Sequence, residues 1–424
     1  MTGTSSRAER HLDRRGFLRL AGGAALAVPL AGILAACDRA EPPTSSPRFG
    51  PLPVLDDLTV ASDVPIERDA VLRVYQWKDY LSAGVLEAFE RAHADRGVRI
   101  DVESFQHIDE AVARLQAPGA DFDVVFPTVD VLRGMVAARL LRPLNHDLLP
   151  HLPNLWGWFT EAGGPFYDPG QRYTTPYTVY TGGIGWRADL VRPADAPDRL
   201  DDPTDVFVDP RYRGLVGFYD SYRDALVLGL QRDGVTDLTA ATDHDLAAAA
   251  AFLDEAVLAT GARFTLDGVQ EGLTEAEFAV HQAWSGDILT APRYAAYEGE
   301  DAVEVAAALR FRPPAGAAQV VGLDLTAVAA TGRFPVAAHA FLDHLLRLEV
   351  AMDNFAWNGY QVPMREAAPE AFEDPAFRWA DVVPPTLRTA LVSEGSFASG
   401  QMLVGFGPSE EARWLDQWRR VVPS

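Results

Sequence analysis

Two short stretches of this 424-residue sequence place a tryptophan and an aspartate directly after an apolar run. VYQWKDYL contains Trp77, Asp79 and Tyr80, and HQAWSGDIL contains Trp284 and Asp287. Carboxylates form charge-assisted hydrogen bonds with ammonium groups, and indole faces attract cations. These residue types, repeated at two strand ends, indicate a site for a small organic cation.

Asp324 is a third acid in an unusual setting, because it interrupts the apolar run VVGLDLTAVAA. A buried carboxylate costs free energy unless it is paired or lies at the open end of a sheet. We therefore expect Asp324 to face a polar partner or a ligand.

An ordinary structural role is the alternative for the two tryptophans. A single tryptophan usually belongs to the core. Trp77 and Trp284, however, both end a predicted strand beside an acid, and this shared placement favours a binding role.

The composition excludes several classes of function. The net charge of −23 disfavours nucleic acid as a partner and suits a cation better than an anion, with general solubility or a high-GC genome as the alternative reason for an acidic composition. Cys37 is the only cysteine, so we expect no disulfide framework and no Cys/His zinc site. HExxH and GxSxG motifs do not occur, and we predict no metal, no cofactor and no enzymatic activity.

The order of apolar runs predicts an α/β fold. From Val71 to Phe126, three short strands alternate with two amphipathic helices, the first capped by Ser82 and ended by Gly97. Parallel strands joined by helices place a ligand site beyond their carboxyl ends. The loop after the first strand, with Trp77 and Tyr80, should lie at this edge.

A second α/β set follows. VGFYD and ARFTL predict strands, residues 222–231 and 244–260 predict helices, and HQAWSGDIL predicts a strand that leads into a helix through Tyr297. Further helices are predicted over residues 334–348 and 410–420. TGGIGW lacks GxGxxG and a following helix, so it indicates a chain crossing rather than a nucleotide loop.

Residues 1–36 have the pattern of an export signal. RRGFL, from Arg14 to Leu18, resembles the twin-arginine motif, and LAAC, ending at Cys37, resembles a lipobox. The apolar run between them is short for a spanning helix, although an uncleaved anchor helix is the alternative. We expect export, lipidation of Cys37, a flexible tether over residues 37–70, and anchoring on the outer face of the cytoplasmic membrane.

Five stretches in a fixed order resemble the polyamine (spermidine/putrescine) binding proteins of ABC importers. They are VYQWKDYLSAGVLEAFE, FDVVFPT, QRYTTPYTVYTGGIGW, QAWSGD and NGYQVP. The resemblance implies a two-lobed periplasmic-binding-protein-like fold of type II, whose discontinuous lobes are joined by hinge crossings and close on the ligand. It implies that lobe 1 comprises residues 71–180 and 321–376, and lobe 2 residues 181–320 and 377–424.

The same resemblance implies which residues contact the ligand. Aromatic faces would hold the methylene chain of a polyamine and carboxylates its ammonium groups. The implied ligand-binding residues are Trp77, Asp79, Tyr80, Thr128, Asp224, Trp284, Asp287, Asp324 and Tyr360. Two of these residues have an alternative role when each is considered alone. Asp224 could be a solvated acid on a helix, and Tyr360 could serve only to pack its turn.

Three positions depart from the pattern of this family. Lys78, the only lysine of the chain, stands where Ser or Thr is usual. Ser221 stands where spermidine binders often carry an acid, which Asp220 could replace, and Gly322 replaces an aromatic residue. These departures weaken the case for spermidine and leave putrescine, another amine or a different ligand open.

The resemblance also implies partners. A monomeric receptor would deliver its solute to an ABC permease and its ATPase subunit, and would contact the membrane through the lipid anchor only. The alternatives are a receptor for another organic cation or an amino acid derivative, and a secreted enzyme or adhesion scaffold on the same fold.

Overall fold

The computed structural model of the chain describes residues 52–160, 167–266, 268–299, 301–314, 319–403 and 406–422. The predicted export signal, Cys37 and the first part of the predicted tether lie outside these ranges. Within the ranges described, no helix is both long and apolar enough to cross a membrane.

The described residues contain nine strands: β1 (Val71–Trp77), β2 (Arg99–Phe105), β3 (Val124–Val125), β4 (Thr174–Arg187), β5 (Val216–Tyr219), β6 (Arg263–Thr265), β7 (Val280–Trp284), β8 (Leu309–Arg312) and β9 (Val321–Val328). Hydrogen-bonded neighbours follow the order β2-β1-β3-β9-β4-β7-β5-β6, and β8 pairs with β4 beside this path.

The α-helices of the described residues are α1 (Ala83–Ala92), α2 (Ile108–Gln116), α3 (Val129–Ala137), α4 (Gly157–Thr160), α5 (Tyr222–Arg232), α6 (Asp243–Thr260), α7 (Ser285–Glu298), α8 (Ala302–Ala308), α9 (Pro335–Leu345), α10 (Leu348–Asn358), α11 (Glu394–Ser399) and α12 (Pro408–Val421). A π-helical segment covers Gly268–Leu273. Several 3₁₀ turns connect these elements.

The long strand β4 belongs to two halves of the strand order. From Thr174 to Thr181 it pairs with β9, and from Gly182 to Trp186 it pairs with β7. The first sheet half is β2, β1, β3, β9 and the start of β4, and the second is the end of β4 with β7, β8, β5 and β6. Parallel pairs occur in both halves, β1 with β2 and β3, and β5 with β6 and β7.

The TGGIGW stretch therefore lies inside β4, where its glycines allow close packing of strands. A Cβ atom on Gly183 would lie 2.6 Å from the carbonyl oxygen of Arg312 in β8. Any larger residue at this position would push β8 away from β4.

Apolar side chains cover both faces of the central strands. In β1, Val74 packs with Phe341 in one core cluster, and its neighbour Tyr75 stacks on Phe122 in another. In β5, Phe218 and Tyr219 likewise enter different clusters. Helices on both sides of parallel strands produce this pattern, in which both faces of the sheet are buried.

The predicted βαβαβ unit is confirmed, with one difference at the end of its first helix. The hydroxyl of Ser82 accepts a 3.2 Å hydrogen bond from the Val85 amide and caps α1. The helix ends at Ala92, however, and Gly97 ends a following 3₁₀ turn with φ of +72°. Gly97 thus stops the turn and not the helix.

The start of the described chain corrects the predicted tether. Leu52 and Leu55 are buried in the core, and the amide of Leu55 donates a 3.1 Å hydrogen bond to the Tyr173 hydroxyl. The carboxylate of Glu67 accepts from the amides of Val336 and Ala337 at the start of α9. Leu52, Leu55 and Glu67 therefore contact the body within the predicted tether, because the core buries the two leucines and the amides of α9 bind the carboxylate.

Candidate functional site

Asp324 lies on β9 and is almost fully buried, with 6% of its surface exposed. Its carboxylate accepts hydrogen bonds from the hydroxyls of Tyr180 at 3.2 Å and Thr178 at 3.4 Å, and from the hydroxyl of Tyr80. Burial raises the pKa of Asp324 to about 6, although these hydroxyls oppose the shift. All three partners are neutral, so their hydrogen bonds leave the charge of the carboxylate unbalanced.

Asp287 is a second buried acid, in the first turn of α7. Its carboxylate accepts from the hydroxyls of Tyr219 at 2.5 Å and Tyr360 at 2.7 Å, and from the side-chain amide of Gln270 at 3.1 Å. Burial raises the pKa of Asp287, and the three hydrogen bonds lower it by less. These partners are again neutral, while the N-terminus of α7 favours the ionised form.

Four aromatic rings lie between the two acids, and all but the buried ring of Tyr80 are partly exposed. The ring of Tyr180 is 5.0 Å from the ring of Trp284 and 5.3 Å from that of Tyr360, both edge to face. Tyr360 in turn lies 5.8 Å from the ring of Tyr80. We call Tyr80, Tyr180, Trp284 and Tyr360 the aromatic cluster, and it touches Asp324 at one end and Asp287 at the other.

The strand register explains how this cluster forms. Three alternate cross-strand pairs along β4 are Thr178 with Asp324, Tyr180 with Gly322, and Gly182 with Trp284. Alternate residues of a strand share a face, and so do residues directly opposite in an antiparallel pair. The acid, the phenol and the indole therefore stand in one row.

Asp224 is a third acid with a raised pKa. It lies in the first turn of α5, and its amide donates to the hydroxyl of Ser221, which caps the helix. Burial raises the pKa of Asp224 to about 6, and the negative charge of Asp287 adds to this shift. A small pocket lined by Asp224, Tyr219, Trp284 and Gln282 joins this acid to the aromatic cluster.

Trp77 and Thr128 lie at the ends of β1 and β3. The ring of Trp77 is partly buried and lies 4.7 Å from the ring of Phe105, so it packs at the edge of the core. Thr128 forms an isolated β-bridge with Asp324. Within the described part of the chain, the indole nitrogen of Trp77 and the hydroxyl of Thr128 are buried without a hydrogen-bond partner. Thr128 thus precedes α3 without capping it through its side chain.

Lys78 and Asp79 are exposed. Asp79 has φ of +59°, and its carbonyl accepts from the indole nitrogen of Trp357 at 3.1 Å. The structure places its carboxylate outside the hydrogen bonds around Asp287 and Asp324 described above. Exposure of Lys78 keeps its charge in solvent, which removes the conflict between a cation and an amine site.

Four residues of the site were missed by sequence reasoning: Thr178, Tyr180, Tyr219 and Gln270. Tyr219 ends β5, so the strand-end rule that selected Trp284 could have found it. Thr178 and Tyr180 reach Asp324 only through the register of β4 with β9. Gln270 lies in the π-helical segment, and its sequence neighbourhood gives no signal.

Comparison with known proteins places this geometry in a family. Residues 84–381 match the family described as bacterial extracellular solute-binding proteins. The putrescine/agmatine-binding protein of Pseudomonas aeruginosa is 30% identical over 148 residues, which cover 34% of this chain and 39% of that protein. The putrescine-binding periplasmic protein PotF of Escherichia coli is 24% identical over 284 residues, which cover 66% of this chain and 74% of that protein.

Solved structures show the same architecture. The spermidine/putrescine substrate-binding protein PotD of Streptococcus pneumoniae superposes with a TM-score of 0.65 at 19% identity, covering 82% of this chain and 98% of that one. The TpPotD lipoprotein of Treponema pallidum superposes with a TM-score of 0.65 at 17% identity, covering 83% of this chain and 99% of that one. The two-lobed periplasmic-binding-protein fold of type II is thereby confirmed.

The family match spans more than half of the chain, and the fold agrees with it. Members of this family bind solutes outside the cytoplasm and are not enzymes. The chain therefore belongs to the bacterial extracellular solute-binding proteins.

Proposed function

We propose that this solute receptor captures a polyamine-like cation such as putrescine and delivers it to the permease of an ABC importer. One observation carries the proposal: Asp287 and Asp324 are buried carboxylates with neutral partners, and aromatic rings lie between them. A diamine supplies one ammonium group for each acid and methylenes for the rings. Relatives named for binding putrescine, agmatine or spermidine support the same ligand class.

Burial strengthens the interaction between each carboxylate and an ammonium group. An ion pair at an exposed surface contributes only about 0–1 kcal/mol. In a site closed to water the same charges interact more strongly, and indole and phenol faces add about 0.5–2 kcal/mol of cation–π attraction. The bound ammonium groups would also keep Asp287 and Asp324 ionised at neutral pH.

The remaining predicted residues would complete the site. We assign ligand contacts to Trp77, Thr128 and Asp224 as well, since the first two have buried polar atoms without a partner and the third has a raised pKa. Asp79 would join only when the lobes close, because its carboxylate faces solvent here.

Closure of the two lobes about a hinge in β4 would bring Asp79 to the ligand. Lobe 1 would comprise residues 71–180 and 321–376, and lobe 2 residues 181–320 and 377–424. The change of β4 partner from β9 to β7 near Gly182 supports this division. Hinges lie where few elements connect two packed bodies.

Export and anchoring belong to the same proposal. The receptor would cross the membrane through its twin-arginine signal, carry lipid on Cys37, and remain on the outer face of the cytoplasmic membrane as a monomer. The permease and its ATPase subunit would be its protein partners. The motifs RRGFL and LAAC support these steps.

A receptor for another short organic cation or an amino acid derivative is the second candidate. Ser221 caps α5, and Asp220 is exposed with its amide bound to the Thr265 carbonyl. Neither supplies the further buried acid that the family resemblance associates with spermidine. This observation favours a short amine over a triamine.

Isothermal titration calorimetry tests the proposal. The mature protein, titrated with putrescine, cadaverine, agmatine and spermidine, should show saturable binding to at least one of them. A sample that is folded by circular dichroism and silent with all four would overturn the polyamine assignment. Native mass spectrometry of protein purified from its own cells should then reveal the mass of the retained solute.

A further inference from the structure

We infer that Tyr180 is a specificity-determining residue that restricts the site to short amines, by filling the space that the missing side chain of Gly322 leaves open. This inference rests on the proposed function. It assigns a role to a residue on β4 that none of the sequence motifs pointed to as a ligand contact.

The first argument is steric. Tyr180 and Gly322 face each other directly across β4 and β9. A Cβ atom built on Gly322 would lie 2.0 Å from one ring atom of Tyr180 and 2.3 Å from the next. Real side chains do not approach so closely, so the ring and any larger residue at position 322 exclude each other. The phenol ring occupies that space instead.

The second argument is position. The Tyr180 hydroxyl lies 3.2 Å from the carboxylate of Asp324, and its ring contacts Trp284 and Tyr360. Tyr360 in turn donates to Asp287. A methylene chain that joins ammonium groups at the two acids must therefore pass the ring of Tyr180.

The third argument is volume. Two residues along a strand advance the chain by roughly 7 Å, so the ring stands one such step from the Asp324 pair and one from the Trp284 pair. A diamine can lie along this row. A triamine is a linear but longer chain, so with ammonium groups at both acids it would have to bow out of this row, and the phenol fills the space above Gly322 that the bow would need. Steric exclusion of this kind is an effective way to reject a larger competitor.

Three variants distinguish the effect of the Tyr180 ring from the effect of its hydroxyl and from the effect of the strand that carries the ring. Tyr180→Ala opens the space, Tyr180→Phe keeps the ring, and the double variant Tyr180→Gly with Gly322→Phe places a ring in the same space from β9. Calorimetry with putrescine and spermidine gives the ratio of the two affinities for each protein. Circular dichroism and thermal unfolding establish that each variant is folded.

We expect the unaltered protein to prefer putrescine. Tyr180→Ala should shift the affinity ratio toward spermidine by about tenfold or more, the scale on which pockets distinguish added methylenes. Tyr180→Phe and the double variant should keep the original preference. An unchanged ratio in folded Tyr180→Ala, or equal loss of both ligands, overturns the inference while the proposed function stands. Absence of all amine binding in the unaltered protein overturns both.

Discussion

The hydroxyl of Tyr360 donates a 2.7 Å hydrogen bond to the carboxylate of Asp287, although the two residues are 73 positions apart. The ring reaches this acid by lying on Gly286, where a Cβ atom would be 2.5 Å from the ring. Tyr360 follows α10, and Asp287 lies in the first turn of α7. The segment NGYQVP is thereby tied to the acid that the AWSGD motif provides.

Removal of this hydroxyl should weaken ligand binding. Tyr360→Phe leaves the ring in place and takes one donor from the Asp287 carboxylate, and a hydrogen bond to a charged group contributes about 1.5–3 kcal/mol. Because this hydrogen bond is also present without ligand, only the part that orients the carboxylate is lost from binding, and the affinity for putrescine should fall by up to about tenfold in calorimetry. Tyr297→Phe is the matched control, because Tyr297 is 82% exposed. Equal affinities of the two variants would contradict a role for the hydroxyl.

Neutralisation of either buried acid should have a larger effect. Asp287→Asn and Asp324→Asn each leave an ammonium group unpaired in the site, and such losses cost about 2–5 kcal/mol. Titration with putrescine should show this loss for both variants. Asp254→Asn makes the same substitution at an exposed acid of α6, and this control variant should bind putrescine normally. Near-normal binding by both cleft variants would rule out the two-acid arrangement.

Acidic pH should release the ligand. The pKa of Asp324 and that of Asp224 are raised to about 6 in the free protein, and the pKa of Asp287 is raised as well. A protonated carboxyl cannot pair with an ammonium group, so affinity should be constant above about pH 7 and fall below pH 6, by up to about tenfold per pH unit for each acid that must ionise. Dissociation constants measured from pH 5 to 8 at fixed ionic strength test this. A flat profile would show that these acids do not contact the cation.

The same acids should destabilise the empty receptor at neutral pH. The pKa of Asp324 is about 6 in the folded chain and 3.8 in the reference state, so the folded state binds more protons between these values. Its contribution to stability is therefore lost as the pH rises from about 4 to 6. Without ligand, Asp324→Asn should be more stable than the unaltered protein by about 1–3 kcal/mol at pH 8, and by little at pH 4.

Thermal unfolding at the two pH values measures this difference. The putrescine titration of the same variant supplies the contrast, because stability should increase while affinity is lost. A variant that is less stable at pH 8 than at pH 4, relative to the unaltered protein, would contradict the sign of this prediction.

The strand ends were predictable because their signal is local. Trp284 and Asp287 follow one another across the junction of β7 and α7, where Trp284 contacts the ring of Tyr180 and Asp287 accepts from the hydroxyl of Tyr360. The rings of Tyr180 and Tyr219 depend instead on strand register and on contacts between residues far apart in sequence. No local pattern specifies that Tyr180 faces Gly322.

Side-chain direction at a strand end also limited the prediction. Trp77 is the last residue of β1 and shares a face with Tyr75, so its ring packs on Phe105. The next turn gives Asp79 a positive φ and points it to solvent. One residue more or less in β1 would have exchanged these directions, and the residue types do not fix that count.

The register of β4 has a consequence for how receptors of this kind change their cargo. Regular pairing resumes at Thr178, after the irregularity at Pro176, and from there to Thr181 each residue of β4 lies directly opposite a residue of β9. Two substitutions at facing positions can therefore place an aromatic ring on β9 instead of β4, without a change in the backbone. New solute preferences could evolve through such exchanges, without rebuilding the sheet.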